Sequence, residues 1–258
     1  MRIVILSTYW NIKNYIKEYI NSLLSQTYTD FIVYLIDDMS TDNSFYIAKK
    51  YIENDRRFIM IKNTEKKWKT KNFIDVVKYN QNIKWDDILV EIDADDKLAN
   101  NNVLMKIFNL YQNNNNIWIC GSKWIDTLGR PGKYGIIIPE KARIGYTIFS
   151  HMRTFKAFLF RAIREQDLIY NGEYFKAACD IAHGIPMLEM AGSEHYFFLN
   201  EVTYIYRWHN LQSYSKMSSH KQPSLQIRSS GYVLKLPKYK KLIINSNTDF
   251  NSIKGEII

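Results

Sequence analysis

The chain has 258 residues, of which 46% are hydrophobic and 24% charged, as is ordinary for a globular protein with a sizeable core. Its two cysteines, Cys120 and Cys179, are far apart and lack the spacing of a metal site, so we expect free thiols in a reducing compartment. The sequence contains no run of roughly 18 apolar residues that would span a membrane, and its first ten residues do not read as a signal peptide.

The formal net charge is +9, and most of it lies near the C-terminus. Residues 212–258 contain eight Lys and Arg but only two Asp and Glu. A solvated basic tail is one interpretation, and a patch attracted to anionic lipid or another acidic partner is the other. No zinc finger or RNP aromatic pattern is present, so we expect no nucleic-acid partner.

Short apolar runs alternate with helical patterns in the first half of the chain. Strands are predicted at residues 2–6, 31–36, 57–61 and 88–92. The first helix is predicted at residues 12–24, with Asn11 as N-cap. A second follows "DDMSTDNS" and ends at about residue 53, and two more are predicted at 70–81 and 102–111. Parallel strands need such crossover connections, so this order predicts an α/β fold with a mostly parallel sheet flanked by helices.

Polar clusters follow three of the predicted strands: "STY" at 7–9, "DDMSTD" at 37–42 and "DADD" at 93–96. Open parallel sheets bind ligands beyond the carboxyl ends of their strands. We therefore expect one crevice lined by carboxylates and hydroxyls.

The alternation weakens after residue 122. Residues 126–135 read as a hairpin or loop, helical patterns return at 154–163 and 177–191, and two strand-like runs, "YFFL" and "VTYIYRW", follow. We divide the chain into an α/β half (1–122), a smaller mixed half of the same domain (123–211) and a basic C-terminal extension (212–258).

The aspartate cluster at 93–96 admits two interpretations. Aspartate is well suited to turns and helix caps. Carboxylates at a strand end also suit a hard divalent ion such as Mg²⁺ or Mn²⁺ that binds a diphosphate. A D-x-D tripeptide alone is weak evidence, but other acidic clusters are predicted at neighbouring strand ends.

Several motifs follow one another in order within residues 2–213: "STYW", "SLLSQTY", "IDDMSTDNS", "EIDADD", "GEYFKAACDIA" and "YIYRWHNLQS". Together they make the chain resemble family 2 glycosyltransferases of the GT-A fold. Trp10, where Asn is commoner, and Met39, where a small residue is usual, depart from the family pattern. The resemblance implies transfer of a sugar from a nucleotide-sugar donor, with residues 1–122 as the nucleotide-sugar-binding half and residues 123–211 as the acceptor-binding and catalytic-base half.

The resemblance also implies roles for single residues at the nucleotide. Ser7 and Tyr9 would line the base pocket, and Asp38 would accept a hydrogen bond from the base edge, although Tyr9 could be a core aromatic and Asp38 a helix cap. Lys71 and Asn72 would lie near the nucleotide, and Asp93 would contact the ribose or ligate the metal through water.

For the metal, Mn²⁺ or Mg²⁺, the resemblance implies Asp95 as ligand and Asp96 as its alternate. His209 would be a third metal or diphosphate contact, or an ordinary surface histidine. The cation would stabilise negative charge on the leaving diphosphate.

Asp180 occupies the place of the family's catalytic carboxylate, which implies proton removal from the acceptor and inversion. A helix N-terminal charge or a core ion pair is its alternative role. His151 and Arg153 would contact the diphosphate or the acceptor, and a structural ion pair is the alternative for Arg153.

Two other function classes stay open: a nucleotidyltransferase acting on a sugar phosphate, and a catalytically silent nucleotide-sugar-binding module. The expected donor is a UDP-sugar, with GDP- or TDP-sugars as alternatives. The expected acceptor is a glycan, a lipid-linked sugar or a protein. We expect a cytoplasmic enzyme, bacterial or in a virus-infected cell. For its basic tail, peripheral contact with a membrane, contact with a protein partner and solubility alone stay open as alternatives.

Overall fold

The computed structural model describes residues 1–132, 136–144, 151–208, 224–245, 247–250 and 252–258. The first half alternates strands and helices as predicted: β1 (Ile3–Tyr9), α1 (Ile16–Leu24), β2 (Phe31–Asp37), α2 (Ser44–Ile52), β3 (Phe58–Lys62), α3 (Trp68–Val77), β4 (Ile88–Glu91), β5 (Lys97–Leu98) and α4 (Val103–Asn113). Because α1 begins at Ile16, the predicted N-cap Asn11 lies outside it. Asn11 Oδ1 instead accepts a hydrogen bond from the backbone N–H of Thr41 (2.8 Å), which joins the loops after β1 and β2.

The second half contains shorter elements: β6 (Ile119–Asp126), β7 (Arg153–Lys156), α5 (Ala157–Ala162), β8 (Ile169–Tyr170), β9 (Glu173–Tyr174), α6 (Cys179–His195), β10 (Tyr196–Tyr206) and α7 (Leu225–Val233). The prediction of one helix at 154–163 is wrong, because this segment forms the end of β7 and then α5. Strand β7 is paired with β4 and β6, and all four of its residues are buried. Its sequence RTFK is too short and too polar for a strand pattern, and the apolar run that follows it belongs to α5.

Eight strands form one sheet in the order β3-β2-β1-β4-β7-β6-β10-β5. Strands β3, β2, β1 and β4 are parallel neighbours, and β6 is parallel to β10. Strand β7 runs antiparallel to β4 and β6, and β5 is an antiparallel edge strand beside β10. The predicted α/β fold with a mostly parallel sheet and flanking helices is confirmed.

Apolar clusters cover both faces of the sheet. Val4 and Leu6 of β1 belong to one cluster, and Ile3 and Ile5 belong to the other, as alternation along a strand requires. With both faces covered, the strand ends are left as the place for polar chemistry.

The described part of the C-terminal extension packs against the domain rather than forming a solvated tail. Tyr239 is 1% exposed, its Oη donates to Asp167 Oδ2 (2.5 Å) and its backbone N–H donates to Glu189 Oε2 (3.0 Å). A bilayer crossing would need a longer and more apolar helix than any in the described part of the chain.

Candidate active site

A cavity of about 440 Å³ opens beyond the carboxyl ends of β1 and β4, at the edge of the sheet where the sequence predicts the site. Eight of the twelve predicted site residues line it: Tyr9, Asp38, Asp93, Asp95, Asp96, His151, Arg153 and Asp180. The strand ends, the loop after β4 and the start of α6 therefore meet in one space.

Three predicted residues are placed elsewhere or lie outside the described residues. Ser7 is fully buried, and its Oγ hydrogen-bonds to Tyr19 Oη (2.5 Å) beneath the cavity rather than lining it. Lys71 Nζ pairs with Asp75 Oδ1 (2.5 Å) one turn along α3, and Lys71 is not among the lining residues. His209 lies outside the described residues.

Asp38 is held by hydrogen bonds from three neighbours. The backbone N–H of Lys67 (2.9 Å) and Asn63 Nδ2 (2.8 Å) donate to Oδ1, and the backbone N–H of Trp68 (2.9 Å) donates to Oδ2. Burial opposes ionisation, but these bonds keep the pKa of Asp38 below its ordinary value. Asn72 is the fourth predicted residue outside the lining. Its Oδ1 accepts a hydrogen bond from Asn63 Nδ2 (2.8 Å), so Asn72 helps to hold the side chain that donates to Asp38.

A buried charge network lies next to the cavity and centres on Glu91, the last residue of β4. Glu91 faces Arg153 across the β4–β7 pair, and Arg153 Nη2 donates to Oε1 at 2.8 Å. Lys69 Nζ lies 2.5 Å from Glu91 Oε1 and 2.5 Å from Asp93 Oδ1, and His183 Nε2 lies 2.9 Å from Glu91 Oε2. Burial alone would raise the pKa of Glu91, but Arg153 and Lys69 hold it well below its usual range.

Sequence reasoning missed Glu91 and Lys69 as parts of the site. The available signal was a glutamate inside the otherwise apolar strand run "ILVEI". A carboxylate buried in a strand needs cations beside it.

The residues that fit a divalent cation best are Asp93, Asp96 and His151, whose ligand atoms all lie within 4.8 Å of one another. His151 Nδ1 is buried without a hydrogen-bond partner in the described part of the chain. Burial and the nearby Arg153 lower the pKa of His151 to about 4, so its imidazole is neutral near pH 7 and keeps a lone pair for a metal. Two carboxylates and one neutral imidazole suit Mn²⁺ better than Mg²⁺, which prefers oxygen ligands.

Asp96 shows the charge repulsion that such a cation would offset. Burial and the charges of Asp95 and Asp93 raise its pKa well above the usual range. Tyr204 Oη donates to Asp96 Oδ2 (2.6 Å), and the backbone N–H of Arg207 donates to Oδ1 (2.7 Å). These bonds fix the orientation of the carboxylate, and Asp95 lines the same cavity.

Asp180 lies in the first turn of α6, where the helix N-terminus favours a negative charge. Its side chain is one-third exposed, and Arg153 Nη1 lies 3.8 Å from its Oδ2. Arg153 thus contacts both Glu91 and Asp180, which agrees with the alternative of a structural ion pair and also places a cation in the cavity.

Lys66 stands beside two tryptophans at the Asp38 side of the cavity. Its Nζ lies 4.1 Å from the centroid of the Trp10 ring, 5.2 Å from that of the Trp68 ring and 3.5 Å from Asp38 Oδ2. All four residues line the cavity. Trp10, a departure from the family pattern, therefore has a place in this site.

Comparison with known proteins identifies a family. Residues 3–167 match the family described as Glycosyl transferase family 2. No curated protein matches the chain.

Solved glycosyltransferase structures share the fold. S. aureus TarS 1–349 in complex with UDP-GlcNAc is similar with a TM-score of 0.68 and 18% identity, covering 85% of this chain and 62% of that one. TarS 1–349 alone is similar with a TM-score of 0.63 and 20% identity, and the match covers 80% of this chain and 60% of that one. Mannosyltransferase PcManGT from Pyrobaculum calidifontis, in complex with GDP-Man and Mn²⁺, is similar with a TM-score of 0.55 and 15% identity. That match covers 79% of this chain and 56% of that one.

The chain spans about three fifths of the length of these structures. At such identities the likeness concerns the fold, whereas the family match rests on the sequence. Because that match covers more than half of the residues, this chain belongs to glycosyl transferase family 2.

Proposed function

We propose that the protein transfers a sugar from a nucleoside diphosphate sugar to an acceptor hydroxyl, with inversion at the anomeric carbon and assistance from a divalent cation. One observation carries the proposal: a single cavity contains the candidate ligands Asp93, Asp96 and His151 together with Asp180. Membership of family 2 supports it.

Tyr9 and Asp38 are proposed to bind the donor base. Asp38 is ionised and held in place, so it can accept a hydrogen bond from an imide or amine N–H. We favour a UDP-sugar, because the TarS structures contain UDP-GlcNAc and UDP; GDP- and TDP-sugars are the alternatives.

Asp93, Asp96 and His151 would hold the cation, with Asp95 beside them. When bound, a divalent cation supplies positive charge to the oxygens of the leaving diphosphate. Lys66 is a protein cation beside Asp38 in the cavity, and Arg153 is a cation beside Asp180.

Asp180 is proposed to accept the proton of the acceptor hydroxyl as that oxygen attacks the anomeric carbon. The first turn of α6 and Arg153, whose Nη1 lies 3.8 Å from Asp180 Oδ2, hold this carboxylate at the cavity. Attack from the side opposite the leaving diphosphate gives inversion.

Two other classes of protein remain as alternatives. A nucleotidyltransferase usually carries a glycine-rich loop after its first strand, and "STYWNIKNY" has no glycine. A silent binding module would not need Asp180 in the cavity beside the candidate metal ligands. Peripheral membrane contact through the basic extension stays a prediction.

The test is release of nucleoside diphosphate from UDP-, GDP- and TDP-sugars with Mn²⁺ and glycan, lipid-linked or protein acceptors. We expect Asp180→Asn to abolish transfer but keep donor binding, and Asp96→Asn to weaken binding of the donor in the presence of Mn²⁺. Asp75→Asn, which lies outside the cavity, is the matched control. Pyrophosphate release would indicate a nucleotidyltransferase, and donor binding without turnover on every acceptor would contradict the proposal.

A further inference from the structure

We infer that Gln226 of helix α7 positions the segment that carries Asp180, so that the C-terminal extension is a functional part of the active site. The inference rests on the proposed function, in which Asp180 is the proton acceptor. Gln226 itself is a positioning residue, because it acts through the backbone of Ala178.

The contact joins two parts of the chain that are distant in sequence. Gln226 Oε1 accepts a hydrogen bond from the backbone N–H of Ala178 at 2.7 Å. Both residues line the cavity that contains Asp180. Ala178 immediately precedes α6, so this bond is made two residues before Asp180.

Ala178 has a backbone conformation that needs support. Its φ of 55° and ψ of 31° lie in the left-handed region, which is unfavourable for a residue with a Cβ. Ala178 is 3% exposed, so its N–H requires a protein partner, and Gln226 supplies it. The carbonyl oxygen of Ala178 accepts from the N–H groups of Ile181 (3.1 Å) and Ala182 (2.9 Å), which starts the helix.

This geometry links Gln226 to the direction of the Asp180 side chain. The dihedral angles of Ala178 set how the chain enters the first turn of α6, and Asp180 belongs to that turn. A small displacement of a general base is sufficient to lower the rate of proton transfer strongly.

Helix α7 holds Gln226 in a fixed place. Ser229 and Val233 are on the same helical face as Gln226 and are 1% and 0% exposed. The Tyr232 ring lies 5.0 Å from the Tyr170 ring. The helix is therefore packed on the domain along the face that presents Gln226.

The chain after α7 is tied to the other end of α6. Arg143 Nη2 donates to the carbonyl oxygen of Pro237 (3.1 Å), and Arg143 Nε pairs with Glu189 Oε1 of α6 (2.6 Å). The backbone N–H of Leu242 donates to the carbonyl oxygen of Met190 (2.9 Å). The extension thus contacts α6 at its first turn and again near its last turns.

The test compares three variants of the full chain. Gln226→Met keeps the size of the side chain and removes the acceptor oxygen, whereas Gln226→Glu keeps an acceptor at the same distance. Arg228→Ala, an exposed position on α7 outside the cavity lining, is the matched control. Gln226→Asn, one methylene shorter, replaces Gln226→Met if that variant does not fold.

Two measurements are made on each variant: hydrogen exchange at the Ala178 amide, which needs no substrate, and the kcat and donor KM of transfer. For Gln226→Met we expect exchange at Ala178 to be faster by about tenfold or more. We also expect kcat to fall by about tenfold with donor KM unchanged. Gln226→Glu keeps the exchange rate at Ala178 near that of the parent protein, and Arg228→Ala changes neither value.

Unchanged exchange at Ala178 in Gln226→Met would overturn the inference, and so would faster exchange with an unchanged kcat. A lower kcat with unchanged exchange would also overturn it, because Gln226 would then act directly on a substrate. Absence of transfer by the parent protein would overturn the proposed function instead, since the exchange measurement does not depend on activity.

Discussion

Glu91 is the residue on which the charges beside the cavity depend. Its carboxylate is 0% exposed and contacts Arg153, Lys69 and His183. We expect Glu91→Gln to lower the free energy of unfolding by about 3 kcal/mol, because Arg153 and Lys69 would remain buried without their shared anion. Urea unfolding followed by circular dichroism would measure the loss.

The control for Glu91 is Glu256→Gln. Glu256 pairs with Lys240 at 3.1 Å, but both side chains are more than half exposed, and such pairs contribute little. We expect the urea midpoint of Glu256→Gln to equal that of the parent protein. Equal midpoints for both variants would show that the Glu91 network does not stabilise the fold.

Lys69 and Lys71 give a sharp test of which lysine serves the site. Lys69 contacts Asp93 and lines the cavity, whereas Lys71 pairs with Asp75 outside it. We expect Lys69→Met to weaken Mn²⁺-dependent UDP binding by about tenfold or more, because the cavity would lose a cation that can bind the anionic diphosphate. Lys71→Met should change the affinity for UDP in the presence of Mn²⁺ by less than about twofold. Calorimetric titration of both variants measures this difference.

The reverse order of effects would contradict this placement and favour Lys71, as the sequence resemblance implies.

The two lysines also show what a sequence leaves open at this scale. Residues two apart in a helix point about 200° away from each other, so the face that meets the cavity depends on where and how α3 begins. The sequence predicts α3 from residue 70, but it begins at Trp68.

At the scale of elements, the first half was predictable, and in the second half α6 and β10 were predicted but β7 was not. Strands β1, β2, β3 and β4 combine short apolar runs with crossover helices, so local pattern and topology agree. Strand β7 is paired with β4, which lies about 65 residues earlier, and no local pattern specifies that pairing. The same non-local pairing brings Arg153 to Glu91, which is why the buried charge network was not foreseen.

Helix α6 provides a prediction at this scale. The sequence predicts a helix at 177–191, and the regular part of α6 ends at Gly192, which has a φ of 63° and a ψ of 177°. That region is accessible essentially only to glycine, so we expect Gly192→Ala to lower the free energy of unfolding by about 1–3 kcal/mol. The new Cβ would meet the flexible ends of Glu194 and Lys241, so the backbone accounts for most of the cost.

The matched control, Gly231→Ala, should raise the free energy of unfolding instead of lowering it. Gly231 lies inside α7 with no atom within 4 Å of an added Cβ. Alanine is favoured over glycine in a helix by roughly 0.5–1 kcal/mol. Thermal unfolding of both variants measures the pair, and destabilisation of equal size at both positions would contradict the backbone argument.

At the scale of the whole molecule, the basic extension changes meaning once its contacts are known. The charge pattern predicts a solvated tail or a patch for an acidic partner, but two of its lysines pair with acidic residues of the chain itself. Lys241 Nζ lies 2.8 Å from Glu194 Oε1 and 2.9 Å from Glu140 Oε1, and Lys240 pairs with Glu256. Composition gives the charge of a segment but not its partners, because the partners come from folding.

Tyr239 tests whether the extension folds as part of the domain. Its ring is 1% exposed and its hydroxyl donates to Asp167, so Tyr239→Ala would leave a cavity and remove a buried hydrogen bond. We expect the free energy of unfolding to fall by about 3–5 kcal/mol, in a single transition. Ile243→Ala, 88% exposed in the same extension, should leave stability unchanged. An independent tail would give the parent midpoint for both variants, whereas a shared fold requires that only the Tyr239 variant lose stability.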